Sequence, residues 1–274
     1  GTILYEGDPV EGADRERSFD IWIIGAPDWT PRLVAGDAGF DGHPAWSPDG
    51  RRIVYSAHGT GNQDLYLIDP DGGNRTRLTS SKQRDDYPKW LPEGVAYKSG
   101  REWKIVDPES GSIRPYKAID PAAGSFTFSP DRRQMVFAKR ASDSIGTYRL
   151  SLARNDGTVI RQLTNEHPRE IHPQWSPVDS RVAYSAGAGG RTGNWDVYVV
   201  DLSSGEKKQL TNNPGADWAC GWSPNGAWLL IASEYGGNWD IYAIRPDGTN
   251  RIRITCHLGN ARYASWTSAE PLAK

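Results

Sequence analysis

An aromatic residue followed at once by a tight turn recurs down this chain at intervals of roughly 44 residues. The copies read PAWSPDG (44–50), PKWLPEG (88–94), FTFSPDR (126–132), PQWSPVDS (173–180) and CGWSPNG (220–226), with a degenerate sixth, YASWTSAE, at 263–270. The anchors are Trp46, Trp90, Phe128, Trp175, Trp222 and Trp266, spaced 44, 38, 47, 47 and 44 residues apart. A fixed period of that size marks a repeat architecture. It makes one domain of a 274-residue length that alone would allow two.

Residues 41–80 show what one unit is made of. HPAW is short and aromatic. In SPDG, Pro48 presets a turn and Gly50 accepts a left-handed backbone. RRIVYSA is β-branched and aromatic, HGTGNQ is a polar loop, DLYLIDP alternates apolar with polar, DPDGG turns again, and RTRLT closes the unit. Four short strands result, with no helical period. The third strand returns as FDIWII (19–24), EWKIVD (102–107), WDVYVVD (195–201) and WDIYAI (239–244); the copy GTYRLS (146–151) lacks the acid. The fourth returns as TPRLV (30–34), IRQLT (160–164), KKQLT (207–211) and IRIT (252–255).

A lone four-stranded sheet of this length cannot bury both faces, whereas several packed face to face around an axis can, and few edges stay open. The chain opens with a second strand, ILYEG, and a third, FDIWII; the missing first strand is ARYASW (261–266). The expectation is an all-β, six-bladed β-propeller with four-stranded blades, closed by the C-terminal strand joining the N-terminal blade. The blades run 1–36 plus 261–270, 37–80, 81–118, 119–164, 165–211 and 212–258.

The P-x-W-S-P-D-G core, the D-[IVL]-Y third strand and the closing [RQ]-L-T resemble the TolB-type, WD-repeat-like β-propeller repeat over essentially the whole chain. The resemblance implies a binding scaffold, a periplasmic interaction module or the gating propeller of a peptidase, in a periplasmic or extracellular setting. The additional N-terminal domain of a full TolB protein is absent from these residues, as is any G-x-S-x-G nucleophile elbow. IHPQWSPVDSRVAYS (171–185) is also similar to the repeat core of oligogalacturonate lyases, which are metal-dependent, seven-bladed and histidine-ligated. Ala186 and Gly187 stand where those enzymes place a histidine.

In such a topology the stereotyped turns share one face, and the longer, more varied loops share the other, where binding residues usually lie. The long 8–18 loop, with Arg15 and Arg17, is placed either to reach over that second face or to stand as a solvated loop. All five histidines, His43, His58, His167, His172 and His257, map to it or to strand starts that rise to it. His43 and His172 lie three residues before an anchor, the place taken elsewhere by Tyr87, Ser125, Ala219 and Tyr263. A ring of these six at a channel mouth suits a polar ligand. His43 and His172 are the candidate ligands for a divalent cation, although no cofactor is otherwise implied. Two positions earlier stand Asp41, Asp85, Glu170 and Asp217, placed either to attract a cation or basic peptide or to accept local backbone hydrogen bonds. Asp20, Asp64, Asp196 and Asp240 open third strands and read as scaffold. Trp195 and Trp239, each in a G-N-W-D junction, with Trp218 and Tyr235 form a candidate exposed aromatic cluster for a protein or a sugar. Trp22, Trp103 and Trp228 read as core strand residues.

The net charge of −2 comes from interspersed acids and bases, so no nucleic-acid arm is present. No run of about 18 apolar residues spans a bilayer. Cys220 and Cys256 read as two free thiols. Together these point to a monomeric, non-catalytic scaffold that docks a protein segment or other ligand at the channel mouth. A metal-dependent carbohydrate-active enzyme of the oligogalacturonate-lyase type and a lectin-like glycan binder are the alternatives.

Overall fold

β-Branched and aromatic runs of five to seven residues, punctuated by Ser-Pro-Asp-Gly turns, fold as expected into strands. The computed structural model describes residues 1–8, 19–36, 39–58, 61–120, 122–141, 146–188, 194–235, 237–256 and 259–267. Arg15 and Arg17, His257, the tip of the 187–194 loop and the end of the sixth repeat copy lie outside the described residues. Every regular element among the described residues is a strand, and no helix is long and apolar enough to cross a membrane.

The chain divides into two units, Gly1–Lys117 with Thr255–Lys274, and Ala118–Ile254. In the first unit, β1 (Thr2–Gly7), β2 (Asp20–Gly25) and β3 (Arg32–Ala35) form one antiparallel sheet. β4 (Asp41–Trp46), β5 (Ile53–His58), β6 (Gln63–Ile68) and β7 (Thr76–Arg77) form a second. β8 (Asp85–Leu91), β9 (Gly94–Ser99), β10 (Glu102–Val106) and β11 (Ile113–Pro115) form a third.

In the second unit, β12 (Ala123–Phe128), β13 (Gln134–Arg140), β14 (Tyr148–Arg154) and β15 (Val159–Gln162) precede β16 (Arg169–Trp175), β17 (Arg181–Gly187), β18 (Trp195–Asp201) and β19 (Lys207–Gln209). A four-stranded sheet of β20 (Asp217–Trp222), β21 (Leu229–Ser233), β22 (Asp240–Ile244) and β23 (Ile252–Arg253) follows. The last strand, β24 (Ala261–Trp266), returns to the first unit and pairs antiparallel with β1, from Ile3↔Trp266 to Gly7↔Ala261. The first sheet therefore runs β24-β1-β2-β3, with the missing strand supplied from the far end of the sequence as expected.

One departure from separate four-stranded blades occurs at the most divergent repeat. β14 and β16 meet in parallel at Tyr148↔Arg169, which merges the groups expected at 119–164 and 165–211 into one eight-stranded sheet. The Tyr148 amide donates to the Pro168 carbonyl (3.0 Å), and Arg149, standing where other third strands carry an acid, reaches the His167 carbonyl (2.5 Å).

Four of the anchors fill the spaces between successive four-stranded groups. Trp46 is buried with Leu4, Ile21 and Ile23 on one side and Ile53 and Tyr55 on the other. Trp90 packs on Val54, Leu65, Val95 and Tyr97. In the second unit Trp175 sits among Val136, Leu150 and Tyr184, and Trp222 among Ala183, Val197 and Ile231. Such large aromatic burial dominates the energetics of a core of thin sheets. Trp103 is core as expected, but Trp228 is not in a strand: it is half-buried at a turn, under the Arg245 guanidinium at 4.1 Å. Trp22 is half-buried in β2, where its Nε1 donates to the Gly7 carbonyl (3.3 Å).

The repeated Leu-Thr and strand-opening Asp explain each other. Thr79 Oγ1 accepts the Leu65 amide (3.0 Å) and faces Asp64 (3.5 Å), while Arg77 donates to the other Asp64 oxygen (2.5 Å). Thr211 repeats this with the Val197 amide (2.9 Å) and Asp196 (3.4 Å), and Thr164 with the Leu150 amide (3.1 Å). Arg253 holds Asp240 at 2.6 Å. These acids are scaffold, because buried backbone donors and carboxylates must find partners.

Candidate functional site

In four of the six first strands the residue three before the anchor adopts a left-handed backbone: His43 (φ 51°), Tyr87 (φ 53°), His172 (φ 53°) and Tyr263 (φ 49°). Each sits at a break in its pairing register, between Gly42 and Ala45, Asp86 and Lys89, Ile171 and Gln174, and opposite Leu4/Glu6. These are bulges, which leave one residue unpaired and redirect its side chain. A proline follows three of them (Pro44, Pro88 and Pro173) and has no amide to lose where the ladder is interrupted. Positive φ is uncommon for residues with a large side chain and is sustained only where the surroundings over-determine it.

The surroundings are explicit in the first unit. Tyr263, His43 and Tyr87 meet, with ring centroids 4.4 Å and 4.2 Å from the imidazole, and Phe40 lies 5.7 Å away. The His43 amide donates to Glu6 Oε2 (2.8 Å), and Nδ1 lies 2.6 Å from Asp86 Oδ1. Asp86 also accepts from the Tyr87 amide (2.8 Å) and from Arg84 Nη2 and Nε (2.7 and 3.2 Å). One histidine thus ties β1, β4 and β8 together, and with them all three sheets of the unit. Burial alone would push the Asp86 carboxyl up. The hydrogen bond and charge of His43, helped by Ser56 and the Tyr87 amide, outweigh it and bring it down to about 2. Glu6 goes the other way: burial raises it, and His43 and Arg262 offset that only in part. Burial also raises the Tyr263 hydroxyl, with Glu6 adding to the effect. Tyr87 remains 43% exposed, so this cluster reaches the surface.

Glu6 and Asp86 were not among the candidates read from the sequence. Glu6 occupies the position after the second-strand tyrosine, where Ser56 and Ser185 stand in other repeats. Ser185 plays the same part, since its Oγ accepts the Ala219 amide (2.9 Å). The larger glutamate fits because residue 42 is glycine: a Cβ there would lie 2.6 Å from Glu6 Oε2 and 2.3 Å from the Phe40 ring. The paired exception, Glu at 6 with Gly at 42, was the available signal.

In the second unit His172 packs edge-on to Trp218 at 5.8 Å, Trp218 lies 4.4 Å from Trp239, and the His172 amide donates to Ser125 Oγ (3.2 Å). The expected exposed aromatic cluster is corrected here. Trp195 is 5% and Trp239 6% exposed, each buried at the head of a third strand, and only Tyr235, at 61%, stands in solvent. The Arg251 guanidinium lies 5.8 Å from the Tyr235 ring and 4.2 Å from Tyr242.

The four acids of the expected partial ring are buried and locally engaged. Asp85 accepts from Ser81 Oγ (3.1 Å to each oxygen) and Asp217 from Asn213 (2.7 Å). Glu170 accepts from the Glu166 and His167 amides (3.2 and 3.3 Å). Asp41 is sealed at the start of β4, its amide bound to the Phe19 carbonyl (2.8 Å). Burial raises Glu170 and Asp217. Among the described residues no group of three or more His, Cys, Asp and Glu side chains is arranged to hold a metal ion.

Known proteins share the repeat and the fold. The profile of the TolB beta propeller domain (PD40) matches residues 116–270. An uncharacterised protein of Agrobacterium fabrum is 26% identical over 223 residues, covering 81% of this chain and 59% of its own length. A TolB homologue of Chlorobium luteolum is 27% identical over 207 residues, covering 73% and 46%. The chain therefore spans about half the length of the curated relatives it matches. Among solved structures, TolB of Acinetobacter baumannii superposes with a TM-score of 0.79 at 21% identity, over 97% of this chain and 66% of that one.

Proposed function

Because the chain belongs to the TolB β-propeller domain family, we propose that it is a non-catalytic scaffold that docks a protein segment on its variable-loop surface. In this reading the sheets form a six-bladed ring sealed by the β24–β1 pair, the protein is a monomer, and it works in the periplasm. The observation that carries the proposal is the trio Tyr263, His43 and Tyr87, three side chains redirected by strained bulges onto one spot and backed by buried hydrogen bonds. Strain of this kind gathers where a surface is pre-organised for a ligand. Aromatic rings with a polar tip supply large contact area at little entropic loss, as protein-binding surfaces require.

The test is an array of immobilised peptides probed with the wild-type chain and with Tyr87→Ala. Tyr87 is partly exposed, so its loss leaves the core intact while removing a contact worth at least about 1 kcal/mol at an interface of this type. Peptides held equally well by both proteins would refute the proposal.

Exposed Tyr235, flanked by Arg251, favours a second reading, that of a glycan-binding surface. A glycan array compared with Tyr235→Ala decides it, and silence on every glycan removes it. Nothing in the described donor set favours the metal-dependent lyase reading. Elemental analysis of the purified protein, repeated with His172→Ala, tests it directly.

A further inference from the structure

The imidazole of His43 is oriented by its neighbours in a way that decides which of its nitrogens meets a partner. Asp86 is an ionised carboxylate and can only accept, so the hydrogen in the 2.6 Å contact belongs to Nδ1. Asp86 has no freedom to turn away. One oxygen also takes the Tyr87 amide and the other takes Arg84. With Nδ1 protonated, neutral His43 carries its lone pair on Nε2. Among the described residues Nε2 meets no hydrogen-bond partner, and 9% of the His43 side chain is exposed. The rings of Tyr87 and Tyr263 wall the imidazole, and the Glu6 carboxylate pins its backbone.

We propose that His43 Nε2 is the atom of this surface that accepts a hydrogen bond from an N–H or O–H of the docked segment, and that Asp86 is the positioning residue that fixes the tautomer. The inference rests on the docking reading above and names the chemistry of its contact. An extended protein segment suits it, since such a segment offers an amide donor at nearly every residue. A carboxylate behind one imidazole nitrogen fixes the role of the other wherever histidine is used at a site.

The experiment uses the full chain and needs no partner. Two-bond proton–nitrogen spectra of uniformly labelled protein, recorded above the imidazole titration range with His43→Gln for assignment, report which ring nitrogen carries the hydrogen. The expected pattern is a pyrrole-type Nδ1 and a pyridine-type Nε2 for His43. In Asp86→Ala, which removes the acceptor altogether, the hydrogen should shift from Nδ1 toward Nε2. Diethyl pyrocarbonate, which acylates an unprotonated imidazole nitrogen, should modify His43 in the wild type, as read by peptide mass mapping. A hydrogen on Nε2 in the wild type would overturn the proposal, as would a His43 left unmodified while exposed His58 reacts. Both readings exist for the wild type even if the variant fails to fold. Expected spectra together with a peptide array that binds nothing would count against the docking reading and leave the tautomer standing.

Discussion

Thr211→Val is a sharp test of how the repeat holds itself together. Valine keeps the shape of threonine, so no cavity opens, but it removes the hydroxyl that accepts the Val197 amide at 2.9 Å and faces Asp196 at 3.4 Å. Thr211 is buried, and so is the amide it serves. A buried donor left without a partner loses about 1–3 kcal/mol. Burial and Asp217 already raise Asp196, and it would also lose a group that stabilises its ionised form. We expect about 2 kcal/mol from urea unfolding followed by tryptophan fluorescence, with an unchanged denaturant slope, or a fall in Tm of roughly 5 °C. Thr79→Val and Thr164→Val remove the same bond from Leu65 and Leu150 (3.0 and 3.1 Å) and should fall in the same range. Thr249→Val is the control: its hydroxyl meets only exposed Asp247, and its loss should stay within about 0.5 kcal/mol. If the three buried variants behave like the control, the Leu-Thr motif does not hold the sheets by this bond.

Trp46→Ala should lose about 3–5 kcal/mol of stability, because it empties the space between two sheets, whereas Trp29→Ala, 42% exposed, should be near neutral in the same unfolding assay. Gly42→Ala forces a methyl against Glu6 and Phe40 and should destabilise by about 1–3 kcal/mol, with His43 resonances displaced in the nitrogen spectrum. The Asp86 carboxyl is held down at about 2, so its share of stability is present above the ordinary carboxylate range and is lost as pH falls through about 2. Asp86→Asn should therefore flatten the acid limb of a stability-versus-pH curve. Glu6 has the opposite sign: burial raises it, so stability falls as pH rises from the ordinary carboxylate range through its raised value, and Glu6→Gln should remove that decline.

The repeat period, the turns and the return of 261–266 to the first sheet were legible because each rests on local chemistry: proline and glycine at fixed turn positions, and alternation in the strands between them. The bulge residues could be located by counting back from the anchors. Their left-handed backbone could not, since only Pro44, Pro88 and Pro173 hint at an interrupted ladder, and Tyr263 lacks even that. Asp86 and Glu6 escaped notice because strand alternation gives no warning of a carboxylate turned inward at a bulge. The sequence points to Trp195 and Trp239 as exposed, but a loop-to-strand junction does not reveal which way the strand's first side chain turns, and both turn into the core. Trp228 stands beside an apolar run that reads as strand, and that run hides the turn at which it lies. Arg149, in place of the usual acid, marked the divergent repeat, but its reach across to the carbonyl of His167 is a tertiary contact.

The pairing of β1 with β24 sets a timetable for the newborn chain. Once Gly7 has been joined to the chain, 254 more residues must be added before Ala261 exists, which at about 5–20 residues per second takes roughly 13–50 s. For all that time the leading edge of β1 presents bare amides and carbonyls to any strand that passes, a standing invitation to cross-pairing with a neighbouring nascent copy. Stop codons placed before residue 261 should therefore yield sticky, chaperone-bound products rather than merely shorter ones.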